Sequence, residues 1–383
     1  MKRFLAVLLL LATLLAVTSC GASGANGYLH RGSRSNSMVE TETRILFFSD
    51  GILYYYDKVN DAARPFCFDP LCGHDAYADH CLATRFAVTH TLQWITFSRT
   101  DGRCHVLRGE KLFSFGIDGS DVREDYSFGE RGAMTEFDPR VSGQPGGLLS
   151  YGKYLFMVVK DPKSGNRQLM RYDIAKKQMK TLTGPDDGTL TGTFLILRDR
   201  VYYDRVVNDE MQTVRADLNL KKKEILENGD FVMGAYLSDG EYLYVPKDRF
   251  ETDEKTGESI AYDDGIWRYN PTDNTLTRLR MTSGVSACKL LYVSDKYLYY
   301  TQSERVGSST RKPAVYRMEK DGSNAIPVFS DEKCNVTGLC VSGNVAVLTC
   351  ELPKPGGSSD KVTYRMTVAE DGTLSDVRVL DLE

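Results

Sequence analysis

The sequence predicts an all-β fold, a β-propeller of seven blades with about four antiparallel strands each. A short motif recurs seven times, the composition favours strands and turns, and hairpin signals separate the copies. The motif reads Tyr54-Tyr55-Tyr56-Asp57, Phe113-Ser114-Phe115-Gly116, Met170-Arg171-Tyr172-Asp173, Val214-Arg215-Ala216-Asp217, Trp267-Arg268-Tyr269-Asn270, Tyr316-Arg317-Met318-Glu319 and Tyr364-Arg365-Met366-Thr367. Its third positions lie 59, 57, 44, 53, 49 and 48 residues apart, intervals that suit a four-stranded blade with loops of variable length. The 22 tyrosines and 33 glycines point the same way, since tyrosine favours strands and glycine favours turns.

Each element follows from this repeat. The first and third positions are apolar in all seven copies and the second is Arg in five. Alternation of period two puts the apolar pair on one strand face and the Arg on the other. Because a blade packs on both faces, the Arg is expected to lay its stem on the neighbouring blade and bond carbonyls with its head. Asp118-Gly119-Ser120-Asp121 and Asp321-Gly322-Ser323-Asn324 turn the chain into an outer strand. Tyr151-Gly152-Lys153-Tyr154, Ser238-Asp239-Gly240, Ser294-Asp295-Lys296-Tyr297 and Val341-Ser342-Gly343-Asn344 mark inner hairpins upstream of the motif, as residues that tolerate positive φ do. Residues 175–182 and 220–226 also read as short helices, but their place in the repeat makes them turn plus outer strand. Before the first copy the ordered pattern begins near Arg44-Ile45-Leu46-Phe47-Phe48. The first inner strand is therefore either missing or supplied by residues 37–43, which leaves six or eight blades as alternatives.

The amino end is of another kind. Met1-Lys2-Arg3 precedes an apolar run from Phe4 to Ala16 broken only by Thr13. That is a secretory signal, too short for a span of about 20 apolar residues. Val17-Thr18-Ser19-Cys20 then resembles the bacterial lipoprotein signal. The resemblance implies that residues 1–19 are cleaved, that the Cys20 thiol carries a diacylglyceryl group, and that the protein is held on the extracytoplasmic side of the membrane or at the bacterial cell surface. Residues 20–43 read as the lipidated cysteine and a Gly-, Ser- and Asn-rich linker. Residues 44–383 read as the propeller, with a Cys-rich insertion at about 65–82.

Lys plus Arg number 48 and Asp plus Glu 52, and loss of Lys2 and Arg3 with the signal takes the net charge from −4 to −6. Without a basic stripe or an aromatic platform among arginines, nucleic acid is not an expected partner. No Gly-x-Ser-x-Gly, His-Glu-x-x-His or phosphate loop occurs. The five histidines, at 30, 74, 80, 90 and 105, all precede the third motif copy, so no catalytic histidine is expected on the later blades. His90 and His105 fall in strand-like stretches, as core or surface residues.

Two segments stand out as candidate sites. Loops before the motif strand, at 161–167, 205–212, 246–264, 302–313 and 351–361, should share one face of the ring. The longest holds Glu251, Asp253, Glu254, Glu258, Asp263 and Asp264, which could form a binding face, a calcium site or simply a solvated acidic loop. Between the first two copies lie Cys67, Cys72, His74 and Cys81. Three cysteines and a histidine match the ligand set of a closed zinc site, although Cys-x4-Cys-x-His-x6-Cys is not a common finger spacing. An exported protein makes disulfides equally natural, but three is an odd number, so one cysteine would look elsewhere, for instance to Cys104. Cys288, Cys334, Cys340 and Cys350 lie in apolar strands as small core residues.

Cys67, Asp69, Pro70, Cys72, His74 and Cys81 also resemble an insertion in propeller lipoproteins of Gram-positive gut anaerobes, a domain family without an assigned activity. The resemblance implies a surface-anchored propeller. The expected role is a binding or scaffolding module for protein, peptide or glycan. An extracytoplasmic enzyme acting on polysaccharide, or a propeller that docks other envelope proteins during assembly, are the alternatives.

Overall fold

The computed structural model describes residues 38–382 apart from 50–51, 70, 75–80, 86–93, 109–110, 129–146, 161–165, 227–236, 253–258, 281–287, 303–304, 307–308, 311–313, 332 and 355–358. Cys20, His30, His80, His90, Asp253, Glu254 and Glu258 lie outside the described residues.

Seven four-stranded antiparallel sheets form the blades of a β-propeller. Blade 1 comprises Val39–Glu40, Arg44–Ser49, Ile52–Asp57 and Ala62–Pro65; blade 2, Trp94–Ser98, Arg103–Arg108, Lys111–Gly116 and Arg123–Ser127. Blade 3 comprises Leu149–Tyr151, Tyr154–Lys160, Arg167–Asp173 and Gln178–Thr181; blade 4, Thr189–Leu197, Arg200–Val207, Glu210–Asp217 and Glu224–Ile225. Blade 5 comprises Leu237–Ser238, Leu243–Thr252, Ser259–Asn270 and Thr275–Arg280; blade 6, Cys288–Val293, Tyr297–Gln302, Ala314–Glu319 and Ile326–Phe329. Blade 7 comprises Asn335–Ser342, Val345–Pro353, Ser359–Val368 and Leu374–Val379. Every motif copy is the third strand of its blade. The ambiguous stretches at 175–182 and 220–226 end in the outer strands Gln178–Thr181 and Glu224–Ile225.

Both faces of a blade are apolar, and the pleat decides which neighbour each residue meets. In blade 3, Leu155, Met157 and Val159 join Leu107 and Leu112 of blade 2, whereas Phe156 and Val158 join Phe194 and Val201 of blade 4. In blade 1, Leu46 and Tyr55 pack with Val106 and Phe115 of blade 2. Ile45, Phe47, Tyr54 and Tyr56 point the other way and share a cluster with Leu348 and Met366 of blade 7.

The inner strand of blade 1 is Val39–Glu40, which pairs with Ile45 and Leu46. The inner strand thus falls within the stretch 37–43 that the sequence offered for it, ahead of Arg44. Each blade takes its strands consecutively, and no described strand of blade 7 comes from the amino end. Among the described residues, side chains of blades 7 and 1 close the ring.

Candidate functional site

The motif arginines work between blades. Arg171 Nη1 donates to Leu218 O and Asn219 Oδ1 of blade 4, both at 3.0 Å. Arg215 Nη1 reaches Pro271 O at 3.0 Å and Asn274 Oδ1 at 2.9 Å in blade 5, and Arg268 reaches Lys320 O of blade 6 at 3.4 Å. Arg317 departs from this pattern by donating to Asn324 O within its own blade. Blade 1 carries Tyr55 at the motif position, and Arg44 stands in. Its guanidinium lies 4.5 Å from the Tyr55 ring centroid and donates to Ile117 O of blade 2 at 2.6 Å.

At the closing junction the acceptor is a carboxylate. Arg365 Nε donates to Asp61 Oδ1 at 2.9 Å and Arg378 Nη2 to Asp61 Oδ2 at 2.6 Å. The Tyr56 hydroxyl also donates to Asp61. Burial raises the Asp61 pKa, but these donors outweigh it and hold the carboxyl below its ordinary range. Further along the junction, Lys58 Nζ donates to Ser342 Oγ at 2.9 Å, and Ser342 Oγ donates to Glu40 Oε1 at 2.5 Å.

Beside this junction opens a cleft of about 630 Å³, bounded by Asp61–Pro65 of blade 1, by Arg365 and Arg378–Asp381 of blade 7, and by Cys67, Asp69, Cys72 and His74. The Cys loop forms its third wall. Phe66, fully buried, anchors the start of that loop among Tyr55 and Phe115. Phe68 stacks on Tyr55 at 6.0 Å between centroids, and it sits so close to Gly119 (φ 80°) that a Cβ there would run into its ring. Asp69 then turns the chain, its Oδ1 accepting from Leu71 N at 2.9 Å and its carbonyl from Cys72 N at 3.2 Å. His74 takes a left-handed backbone, φ 53°, a conformation that few residues other than glycine adopt. Cys81 opens a single helical turn, Leu82–Arg85, whose Thr84 and Arg85 amides donate to its carbonyl.

These turns bring together the four residues that the sequence singled out. One ligand atom each from Cys67, Cys72, His74 and Cys81 lies within 4.8 Å of all the others. A tetrahedral zinc with Zn–S bonds of about 2.3 Å would need sulfurs roughly 3.8 Å apart, so the cluster has the right size for one ion. Cys81 Sγ lies 3.5 Å from His74 Nδ1. Burial acts against a Cys81 thiolate, yet hydrogen bonds from His74 and Thr84 lower its pKa to about 6, while burial pushes the Cys67 thiol up to about 12. None of the three cysteines is in a disulfide, and neither is Cys104, which is buried in blade 2.

The acidic segment at 246–264 is built differently from the expected loop. It is a hairpin arm in which Leu243–Thr252 and Ser259–Asn270 pair as far as Thr252↔Ser259, with Asp248 opposite Asp263 and Glu251 opposite Ile260. Asp264 sits at the irregularity in that pairing. Residues 205–212 likewise continue two strands, joined by Asn208 and Asp209 at positive φ. Residues 351–361 extend the blade 7 hairpin as far as Pro353↔Ser359.

His105 is a core residue, 1 % exposed, between two acids. Its Nε2 lies 3.1 Å from Asp101 Oδ2 and its Nδ1 3.4 Å from Asp125 Oδ2. Sequence reasoning missed the cleft residues Asp61, Arg64 and Arg378, for which no local motif exists. Of the walls that blades 1 and 7 contribute, the sequence had marked Arg365 alone, by its place in the repeat.

No protein-family model matches the chain, and no curated protein matches it. Solved structures do. Puromycin hydrolase superposes with a TM-score of 0.51 at 11% identity, over 92% of this chain and 54% of the hydrolase. The chain thus spans about half the length of that enzyme. The β-propeller domain of the Trilobed protease from Pyrococcus furiosus, described as having an open velcro topology, superposes with a TM-score of 0.51 at 10% identity, over 90% of this chain and 98% of that domain. A prolyl endopeptidase gives 0.50 at 15% identity, over 76% of this chain and 43% of the enzyme. At such identities the likeness is one of fold, and the fold is a seven-bladed propeller.

Proposed function

We propose that this chain is a lipid-anchored, extracytoplasmic binding propeller whose Cys67, Cys72, His74 and Cys81 hold one structural zinc ion. The observation that carries the reading is the convergence of the four ligand atoms within 4.8 Å. Three thiolates and one imidazole fill all four positions of a zinc ion and leave none for substrate, which is the mark of a structural site. The ion would fix a loop that, apart from Phe66 and Phe68, has little apolar packing, and that loop is one wall of the cleft at the ring junction. Arg365 and Arg378 on the opposite wall are already paired with Asp61, so the cleft suits a protein, peptide or glycan chain better than a small free anion.

Anchoring rests on Lys2, Arg3, the apolar run and Cys20. Two acyl chains on one residue hold firmly, where a single chain holds marginally. Exchange of Cys20→Ala should leave export possible and release the protein from the membrane fraction; co-sedimentation of the variant with membranes would reject the anchor. For the metal, the full-length protein is purified without chelator, and bound zinc and denatured free thiols are counted on one sample. One zinc per chain, with Cys67, Cys72 and Cys81 all titrating as thiols, is the expected result. A stoichiometric bridge within the loop and no zinc would replace the metal with a covalent staple.

A further inference from the structure

Blade 7 carries a second sulfur pair, away from the cleft. Cys350 lies on Val345–Pro353, and Cys334 immediately precedes Asn335–Ser342, the strand paired with it. Cys350 is opposite Val336. A turn closed by Cys334 N donating to Asp331 O at 3.2 Å leads into that strand two residues before Val336. Cys334 is the neighbour that acts most strongly on the Cys350 thiol, holding its pKa up ahead of burial, and both are free thiols in this structure. Both are fully buried, in the cluster that also holds Phe47 of blade 1 and Leu291 of blade 6.

We propose that Cys334 and Cys350 are joined by a disulfide that staples the inner hairpin of blade 7, the last blade in chain order. The proposal rests on the export reading above, because an oxidising compartment is where such a bond persists. Two thiols lose two protons to solvent and two electrons to a carrier of the disulfide class. One thiolate attacks the carrier disulfide, the second displaces the carrier from the mixed disulfide, and the carrier leaves as a dithiol. Since both sulfurs end up inaccessible, the exchange takes place before blade 7 packs.

Trypsin releases residues 334–361 as one fragment, separate from the Cys67–Cys81 loop, with Cys340 as an internal control. The full-length protein recovered from membranes is denatured, labelled with N-ethylmaleimide and digested, with and without prior reduction. The expected fragment carries one label and weighs two hydrogens less, and it takes three labels after reduction. Cys340→Ser should retain the bridge, and Cys334→Ser should abolish it. The same assay on chain reduced and then refolded with glutathione disulfide separates the two readings. Three labels on the refolded, unreduced fragment would overturn the pairing itself. A bridge after refolding but three labels in the cell-derived protein would support the pairing and count against export.

Discussion

The junction between blades 3 and 4 and the junction between blades 7 and 1 share one design and differ in one layer. Both bury aromatic and branched side chains, with Phe156 and Phe194 in the first and Phe47 and Leu348 in the second. Both place a motif arginine over the joint. At the internal junction Arg171 bonds a carbonyl and an amide oxygen; at the closing junction Arg365 and Arg378 converge on the Asp61 carboxylate. The polypeptide itself runs directly from blade 3 into blade 4, whereas among the described residues blades 7 and 1 meet only through side chains. At the closing junction the arginines therefore meet a charged acceptor in place of a neutral one, an ion pair where the internal junction has a charged donor on neutral oxygens.

The comparison can be broken at its shared layer first. Phe47→Ala and Phe156→Ala, each removing a fully buried ring, should each cost about 3–5 kcal/mol in urea unfolding. Unequal losses beyond that spread would mean that the apolar layers differ as well. Asp61→Asn should cost roughly 1–3 kcal/mol, because it leaves two arginines short of an acceptor, although Asp61 is partly exposed and screened. Arg171→Met should cost about 1 kcal/mol. A larger loss for Arg171→Met than for Asp61→Asn would reverse the argument.

A pH series sharpens the picture at the junction of blades 2 and 3. Burial lowers the His105 pKa, but Asp101 and Asp125 raise it further, and the net direction is up. Tyr172 of blade 3, whose hydroxyl donates to Asp125 O, and Cys104 and Arg123 of blade 2 are further titratable groups against this cluster. A raised histidine contributes stability that is complete below its unfolded value of about 6.5 and is lost as pH rises through the folded value. Melting temperature should therefore fall as pH rises above neutrality, and His105→Gln should flatten that fall. A parallel slope in the variant would assign the pH dependence elsewhere. The smallest effect is expected at the blade 5 arm. Shortening 248–263 to a tight turn should shift melting only slightly, since the strand pairing of that stretch lies within the arm itself.

The motif strands and their turns were legible because period-two alternation and turn residues act locally. Tyr172 and Arg171 occupy opposite faces, as neighbours in a strand must. The inner strand Val39–Glu40 is only two residues long, too short for any periodicity. The arm at 246–264 alternates no apolar face, so its pairing was read as loop. The Cys67–Cys81 ligand set was visible from residue type, whereas its cleft was not, because Asp61 and Arg365 meet across 304 positions. Such a contact is fixed by ring closure and leaves no trace in local sequence.

The central claim is a single zinc ion held by three cysteines and one histidine, and zinc-edge X-ray absorption on the chelator-free protein tests it most directly. Three sulfurs at about 2.3 Å and one nitrogen at about 2.0–2.1 Å are predicted, with the sulfur shell reduced by one in Cys72→Ser. A zinc shell of oxygen and nitrogen alone, unchanged in that variant, would contradict it.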